Sequence, residues 1–316
     1  MRSMSPFRPT VAHALVIIAA ATLVVGSMPA RADHDSAAVC PDSHPSAPQV
    51  SLEDVYRGMP FQPGERARYS VAYMGVPAGF GVMTVDPPAN AGGSWQRAFR
   101  VQARTGDWYR RVYDGEGSVL ALSRPADFGA TGYWHEQEGR TLMAQRIHRK
   151  QVLTFKQEAC KVIEYTQRTG KRAHTEEIAL SYGATDMLSA LYYLRTKDYE
   201  IGKSERRLLY ASGKNLWLEV SPVGYETLTV PAGTFKALKL KLQAYFRDEP
   251  LRKRSVEIWL VPDHPNRPIV RADAQMKIGQ VRLELMEFVA GLSAGRPVSG
   301  TNPERSSALA ARSIER

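Results

Sequence analysis

Apolar and polar residues alternate with a period of two along most of the chain. Ala67, Tyr69, Val71 and Tyr73 interleave with Arg66, Arg68, Ser70 and Ala72. Phe99, Val101 and Ala103 interleave with Arg100, Gln102 and Arg104. Leu216, Leu218 and Val220 repeat the pattern, as do Leu238, Leu240, Leu242 and Ala244 against Lys239, Lys241 and Gln243, and Val256, Ile258 and Leu260 against Ser255 and Glu257. Such alternation predicts half-buried β-strands. Breakers separate the runs: Pro87-Pro88, Gly92-Gly93, Glu138-Gly139, Thr169-Gly170, Ser212-Gly213, Pro231 with Gly233, and Pro262 with Pro265. Many short strands with one polar face pair antiparallel, because parallel strands covered on both faces read as unbroken apolar runs. The expected fold is mainly β: a strongly curved antiparallel sheet or half-open barrel.

One segment departs from this period. Residues 184–195 (ATDMLSALYYLR) place Met187, Leu188, Leu191 and Leu194 on one helical stripe. Thr185 is the expected N-cap, with Asp186 at the positive and Arg195 at the negative end of the dipole. A helix this short needs a surface to pack on, and the concave side of the sheet supplies one. It divides the strands into groups at 58–182 and 205–289. In the phrase Val230-Pro231-Ala232-Gly233, proline sets φ and glycine permits a positive φ, which predicts a type II-like turn between two strands. Gly75, Pro77 and Gly79 mark a second bend.

The two ends read differently. Residues 14–25 (ALVIIAAATLVV) form an apolar stretch behind Arg2 and Arg8, and Ala30-Arg31-Ala32 precedes Asp33. That is the layout of a signal peptide cleaved after Ala32. Twelve residues extend only about 18 Å as a helix against roughly 30 Å of hydrocarbon, so a retained membrane anchor is the weaker reading. Residues 33–57 are a polar, proline-containing leader, and residues 290–316 a tail of small and polar residues without apolar periodicity, read as disordered. The expected location is the periplasm or another exported compartment, with no integral membrane span after cleavage.

Composition and charge narrow the function classes. The 316 residues are 43% hydrophobic and 23% charged, which excludes a fibrous or disordered chain. The formal charge of +10 falls to +7 without residues 1–32, which hold Arg2, Arg8 and Arg31 and no acid. An exported chain without an aromatic-and-basic RNA motif does not suit nucleic acid. Export also changes the two cysteines. Cys40 and Cys160 can pair in an oxidising compartment and tie the leader to the domain; two free thiols are the alternative.

Signals for catalysis are weak. No G-x-S-x-G elbow is present, and Ser189 lies inside the expected helix. The histidines show neither H-x-x-x-H nor H-E-x-x-H spacing, so no metal site and no cofactor is expected. Asp107, Asp114 and Glu116 lie near Trp108, Tyr109, Tyr113, Tyr133 and Trp134, as paired carboxylates and aromatic platforms do in glycan-acting enzymes. The same stretch also reads as a strand with an Asp-Gly turn whose acids form solvated pairs with Arg110 and Arg111.

Four phrases together resemble domain-of-unknown-function family 3108. They are PFQPGERARYSVAYMGVPAG (60–79), the helix segment, VPAGTF (230–235) and WLVPDHPNRPIV (259–270). The resemblance implies an exported β-rich bacterial protein over residues 58–288 and carries over no catalytic residues. The expected role is therefore non-enzymatic, in the cell envelope. A curved sheet under a helix would hold an apolar or amphipathic envelope component, lipid or polymer, against Tyr69, Val71, Tyr73, Phe99, Leu191, Leu238, Leu240 and Ile258. The alternative is an interaction protein that takes an envelope partner on an edge strand or on a basic face of Lys239, Lys241, Arg252, Lys253 and Arg254.

Overall fold

The structure, a computed structural model, describes residues 40–41, 48–111, 113–141, 145–276 and 279–292, with the side chains of 252–254 left out. The proposed signal segment, its cleavage point after Ala32, most of the leader and nearly all of the tail lie outside the described residues. Among the described residues, eight strands precede one α-helix: β1 (Arg66–Tyr73), β2 (Val76–Ala91), β3 (Ser94–Thr105), β4 (Tyr113–Ser123), β5 (Ala130–Thr141), β6 (Arg146–Lys156), β7 (Lys161–Arg168) and β8 (His174–Ala179). After the helix α1 (Met187–Leu194) come β9 (Glu205–Ala211), β10 (Lys214–Val230), β11 (Gly233–Phe246), β12 (Glu249–Leu260), β13 (Ile269–Gln275) and β14 (Gln280–Val289).

All fourteen strands form one antiparallel sheet, ordered β8-β7-β6-β5-β4-β3-β2-β1-β14-β13-β12-β11-β10-β9. The two strand groups are thus one sheet, joined where β1 pairs with β14 from Arg66↔Val289 to Tyr73↔Val281. β8 and β9 are the edges, and among the described residues no ladder closes the sheet into a barrel. Tight hairpins make the meander. Met74-Gly75, Gly92-Gly93, Ser212-Gly213 and Arg247-Asp248 all sit at positive φ, the pairing that two-residue hairpins with right-handed strand twist require. The expected turn at Val230-Pro231-Ala232-Gly233 is present, but its positive φ, +137°, falls on Gly233, after the two central residues, so it is not type II.

Three expected breakers lie inside strands instead. Pro87 and Pro88 occupy a bulge in β2, where the register with β3 slips between Asp86 and Ala89, a position at which a missing N–H is tolerated. Gly115 and Gly139 face each other across β4 and β5. A side chain on either would collide with the Tyr113 ring, which covers both glycines. The Asp-Gly pair is therefore a strand seat for an aromatic ring, not a turn.

α1 is shorter than expected and differently capped. Asp186 is the N-cap, accepting from the backbone N–H groups of Leu188 (2.8 Å) and Ser189 (3.0 Å). Thr185 instead forms a parallel bridge to Leu209, donating to Leu208 O at 3.1 Å and accepting from Tyr210 N–H at 2.8 Å. This short contact and the Asn215 side chain, which accepts from Ser181 N–H and donates to Ala179 O, hold the seam between β8 and β9. The helix is buried on nearly all sides. Leu188 and Tyr192 pack with Phe61, Phe99, Val119, Tyr133 and Phe155 on the first strand group. Met187, Ala190 and Leu194 pack with Leu209, Leu218, Leu240 and Ile258 on the second. The sheet thus wraps round the helix. Among the described residues no helix is long and apolar enough to cross a membrane.

Two fastenings hold the chain before β1. Cys40 and Cys160 form a disulfide with Cα atoms 5.8 Å apart. Cys160 sits at φ +51° after a single 3-10 turn (Gln157–Ala159). Gln157 secures that turn to the entry of the helix, donating to Ala130 O and Ala184 O and accepting from Gly183 N–H. At the other end of α1, Arg195 reaches Glu65 with two bonds of 2.7 and 2.9 Å, both side chains buried.

Candidate functional site

The side chains expected to line an inner cavity form a packed interior. Phe99 is fully buried and stacks on Tyr192 with ring centroids 4.0 Å apart. Val71, Leu238, Leu240 and Ile258 are at most 1% exposed, and Tyr73 is buried as well. Tyr69 donates its hydroxyl to Ile269 O at 2.9 Å. Leu191 and Tyr69 border a void of about 10 Å³, which is at the lower limit for one water molecule. The helix that was to cover a cavity fills the space in which it would lie. Seven of these residues are core, and Leu191 is partly buried and packs against it.

The other expected sites separate in the same way. Asp107 and Asp114 stand in solvent, 95% and 64% exposed, each 3.3–3.5 Å from Arg110. Tyr113 and Tyr133 are buried, whereas Trp108 is exposed, so the acids and aromatic rings do not converge. Lys239 does not present a free charge. Its ammonium lies 3.0 Å from Glu257 and 5.0 Å from the Trp259 ring, and Trp259 in turn donates to Glu226. Lys241 is exposed. The side chains of Arg252, Lys253 and Arg254 lie outside the described residues, so only two members of that face can be placed.

The concave site lies on the opposite, polar face of β1–β5. A trough of about 680 Å³ is lined by Arg66, Arg68, Phe80, Val82, Gln102, Arg104, Glu116, Ser118, Glu136 and Glu138, with Ala103 and Gly117 at its floor. Its volume is that of a small-molecule pocket. Strand register explains the arrangement. One row across the sheet runs Arg68, Val82, Gln102, Ser118, Glu136, and the next runs Ser70, Phe80, Arg104, Glu116, Glu138. Cations therefore stand on β1 and β3, anions on β4 and β5, with Gln102 opposite Ser118 at the boundary. The Arg68 guanidinium lies 5.2 Å from the centre of the Phe80 ring.

The acidic wall continues onto β6. His148 pairs with Glu138 in register, its Nδ1 3.3 Å from Glu138 Oε1, and Glu136 stands beside them. Donor atoms of Glu136, Glu138 and His148 lie within 4.8 Å of one another. Two carboxylates and an imidazole are a donor set that suits a divalent transition metal. Histidine spacing along the chain does not reveal this grouping, because the partners come from neighbouring strands. The signal available in the sequence is Glu136-x-Glu138 on one strand face.

The inner face of β5–β7 carries a buried polar group that periodicity also hides. Gln137 donates to the Tyr113 hydroxyl (3.1 Å), and Gln151 donates to Glu164 (2.6 Å), which Tyr210 also approaches. Between them His135 is 2% exposed, and neither ring nitrogen has a hydrogen-bond partner among the described residues. Burial, with the Arg149 guanidinium nearby, pushes its pKa down to about 4, so the ring is neutral at pH 7. Burial likewise raises the pKa of Glu164.

Comparisons with known proteins bear on family and fold. No curated protein matches the sequence. A β-barrel-like protein of domain of unknown function DUF1849 from Brucella abortus is 9% identical, covering 72% of this chain and 97% of its own, with a TM-score of 0.45. A candidate exported protein with a YmcC-like fold from Bacteroides fragilis is 16% identical over 73% of this chain and 98% of its own, TM-score 0.28. A candidate lipoprotein from Parabacteroides distasonis is 11% identical over 73% and 97%, TM-score 0.29. The family model described as protein of unknown function (DUF3108) matches residues 68–286, two-thirds of the chain and nearly the whole sheet, and the protein belongs to that family.

Proposed function

We propose that the protein is an exported, non-catalytic binding protein of the cell envelope that holds an amphipathic envelope component in the trough on the polar face of β1–β5. Three things support export: the signal-like residues 1–32, the family resemblance, and the Cys40–Cys160 disulfide, a bond suited to an oxidising compartment. One observation carries the choice of site. The interior beside Tyr69 and Leu191 leaves about 10 Å³, whereas the polar face offers about 680 Å³ lined in part by Phe80 and Val82 and rimmed by charge. A ligand with an apolar part and a charged head fits the second space and has no room in the first.

Native mass spectrometry of protein incubated with an envelope lipid extract tests this. Wild type should retain an amphipathic ligand, and Ser118→Trp, which fills the trough from β4 without touching the core, should not. Wild type that takes up nothing, or retention that Ser118→Trp leaves unchanged, refutes the assignment. A second reading, docking of an envelope protein by strand addition, rests on β8, whose outer edge has no strand partner among the described residues. Its mark would be capture of a partner that a proline within His174–Ala179 abolishes.

A further inference from the structure

The trough is charged on both sides, yet its charges do not cancel locally. Arg66, Arg68 and Arg104 line one wall, and Glu116, Glu136 and Glu138 the other. Arg104 and Glu116 are direct partners across β3 and β4, and neighbouring strands lie about 4.8 Å apart. Even so, none of these three arginines forms an ion pair within 4 Å among the described residues, and of the three glutamates only Glu138 has a partner, His148. Lys150 faces Glu136 in register without pairing with it. Most arginines on the rest of this face find an acid: Arg100 with Asp86, and Arg271 and Arg282 with Asp273.

From this pattern we infer that the trough selects a zwitterionic head group of the phosphoethanolamine type, with its anion on the Arg66, Arg68 and Arg104 wall and its ammonium on the Glu116, Glu136 and Glu138 wall. The inference rests on the trough being the binding site. Three positive and three negative groups sum to zero, so a purely anionic ligand would gain at one wall and be repelled at the other. A purely cationic ligand would meet the reverse. Only a ligand carrying both signs gains from both walls. Guanidinium groups suit the anionic half, since their fixed fork of donors matches phosphate oxygens two at a time. Clustered carboxylates suit an ammonium, a compact point charge. The boundary of Gln102 and Ser118 is uncharged, as is the ethylene link between the phosphate and the ammonium. Phe80 and Val82, between β1 and β3, give the apolar part of the ligand a surface on the anion-binding side, where a phospholipid places its chains.

Calorimetric titration with short-chain phosphatidylethanolamine and phosphatidylglycerol, below their micelle concentrations and with EDTA present, tests the inference. EDTA removes divalent cations that would bind among Glu136, Glu138 and His148 and neutralise the two carboxylates. Wild type should prefer phosphatidylethanolamine by about tenfold or more, the worth of one charge-assisted contact. Glu136→Gln with Glu138→Gln should erase the preference while keeping phosphatidylglycerol binding. Arg68→Gln with Arg104→Gln should weaken both lipids by about tenfold or more. All four side chains are surface groups outside the core, and unchanged thermal melting confirms that the variants fold. Phosphatidylglycerol binding that equals phosphatidylethanolamine binding in wild type, yet depends on Arg68 and Arg104, overturns the zwitterion and leaves the trough standing. Failure of wild type to bind either lipid overturns both.

Discussion

Replacing Glu65 with glutamine removes one charge from the centre of the protein and leaves its partner in place. The Arg195 guanidinium donates to both carboxylate oxygens of Glu65, at 2.7 and 2.9 Å, and to the backbone carbonyls of Asn266 (2.6 Å) and Arg267 (3.0 Å). It also lies 5.2 Å from the Phe61 ring centre and 5.1 Å from that of Tyr192. Burial disfavours the guanidinium charge, but the bonds to Glu65 outweigh it and raise the Arg195 pKa. The cation therefore remains when Glu65 is neutralised, and it becomes a buried charge without a counter-ion. Breaking a buried pair from one side costs about 3–5 kcal/mol, against a total stability of about 5–15 kcal/mol for a domain. Thermal unfolding should fall by about 6–20 °C for a domain of this size, and urea midpoints should fall in proportion. Glu65→Leu combined with Arg195→Met removes both charges. It should recover most of the loss, because an apolar pair of similar volume avoids the desolvation penalty. A loss below about 1 kcal/mol for Glu65→Gln, within the range of surface pairs, would refute the view that this pair holds the helix end, the chain before β1 and the 266–267 loop together.

Two further expectations concern the leader and the buried histidine. Cys40→Ser opens a loop of 120 residues, which the chain-entropy model values at about 5 kcal/mol; a denaturant midpoint identical to that of the oxidised wild type would show that the bond is idle. His135 titrates near 6.5 when unfolded and at about 4 when folded. Between those values the unfolded chain binds the proton and the folded chain does not, so this contribution is complete above 6.5 and is lost as pH falls toward 4. It amounts to about 3 kcal/mol at most. His135→Leu should flatten that slope in urea melts at neutral and acidic pH. Glu164, whose pKa burial raises, acts in the opposite sense in both proteins and drops out of the comparison. Parallel pH curves for the two would sink the assignment.

Period-two alternation made the strands legible because each one buries every second side chain against the same interior. Tyr69, Val71 and Tyr73 face inward in β1 as the alternation requires. The errors arise where one residue type serves two structures. Gly115 and Gly139 read as turn signals, but they are flat seats beneath Tyr113, a contact that only the register of β4 and β5 creates. Asp186 takes the cap from Thr185 because Thr185 is already engaged with β9, more than twenty residues further on. The trough was hidden for a related reason. Arg66, Arg68 and Arg104 are visible as the polar side of their strands, but no single strand reveals that Arg104 faces Glu116 or that Arg68 sits four strands from Glu136 in one row. Cross-strand register is a non-local property, and it sets the chemistry of a sheet face.

The position of the helix explains why the proposed binding site lies on the outer face of this fold. A closed barrel of fourteen strands would enclose a lumen wider than its own side chains can fill, since diameter grows with strand number. Here the sheet stays open, and the chain between β8 and β9 turns inward as α1. Leu188 and Tyr192 satisfy one half of the wall, and Met187, Ala190 and Leu194 satisfy the other. The connection that leaves the sheet unclosed is therefore the same element that removes the lumen. Admitting a ligand to the interior would require the helix to leave. That would break the Thr185 bridge, the cap at Asp186 and the Glu65–Arg195 pair together, and expose the Phe99–Tyr192 stack to water. The trough asks for none of this. Its walls are side chains already in solvent, carried on strands that the packed interior holds in place.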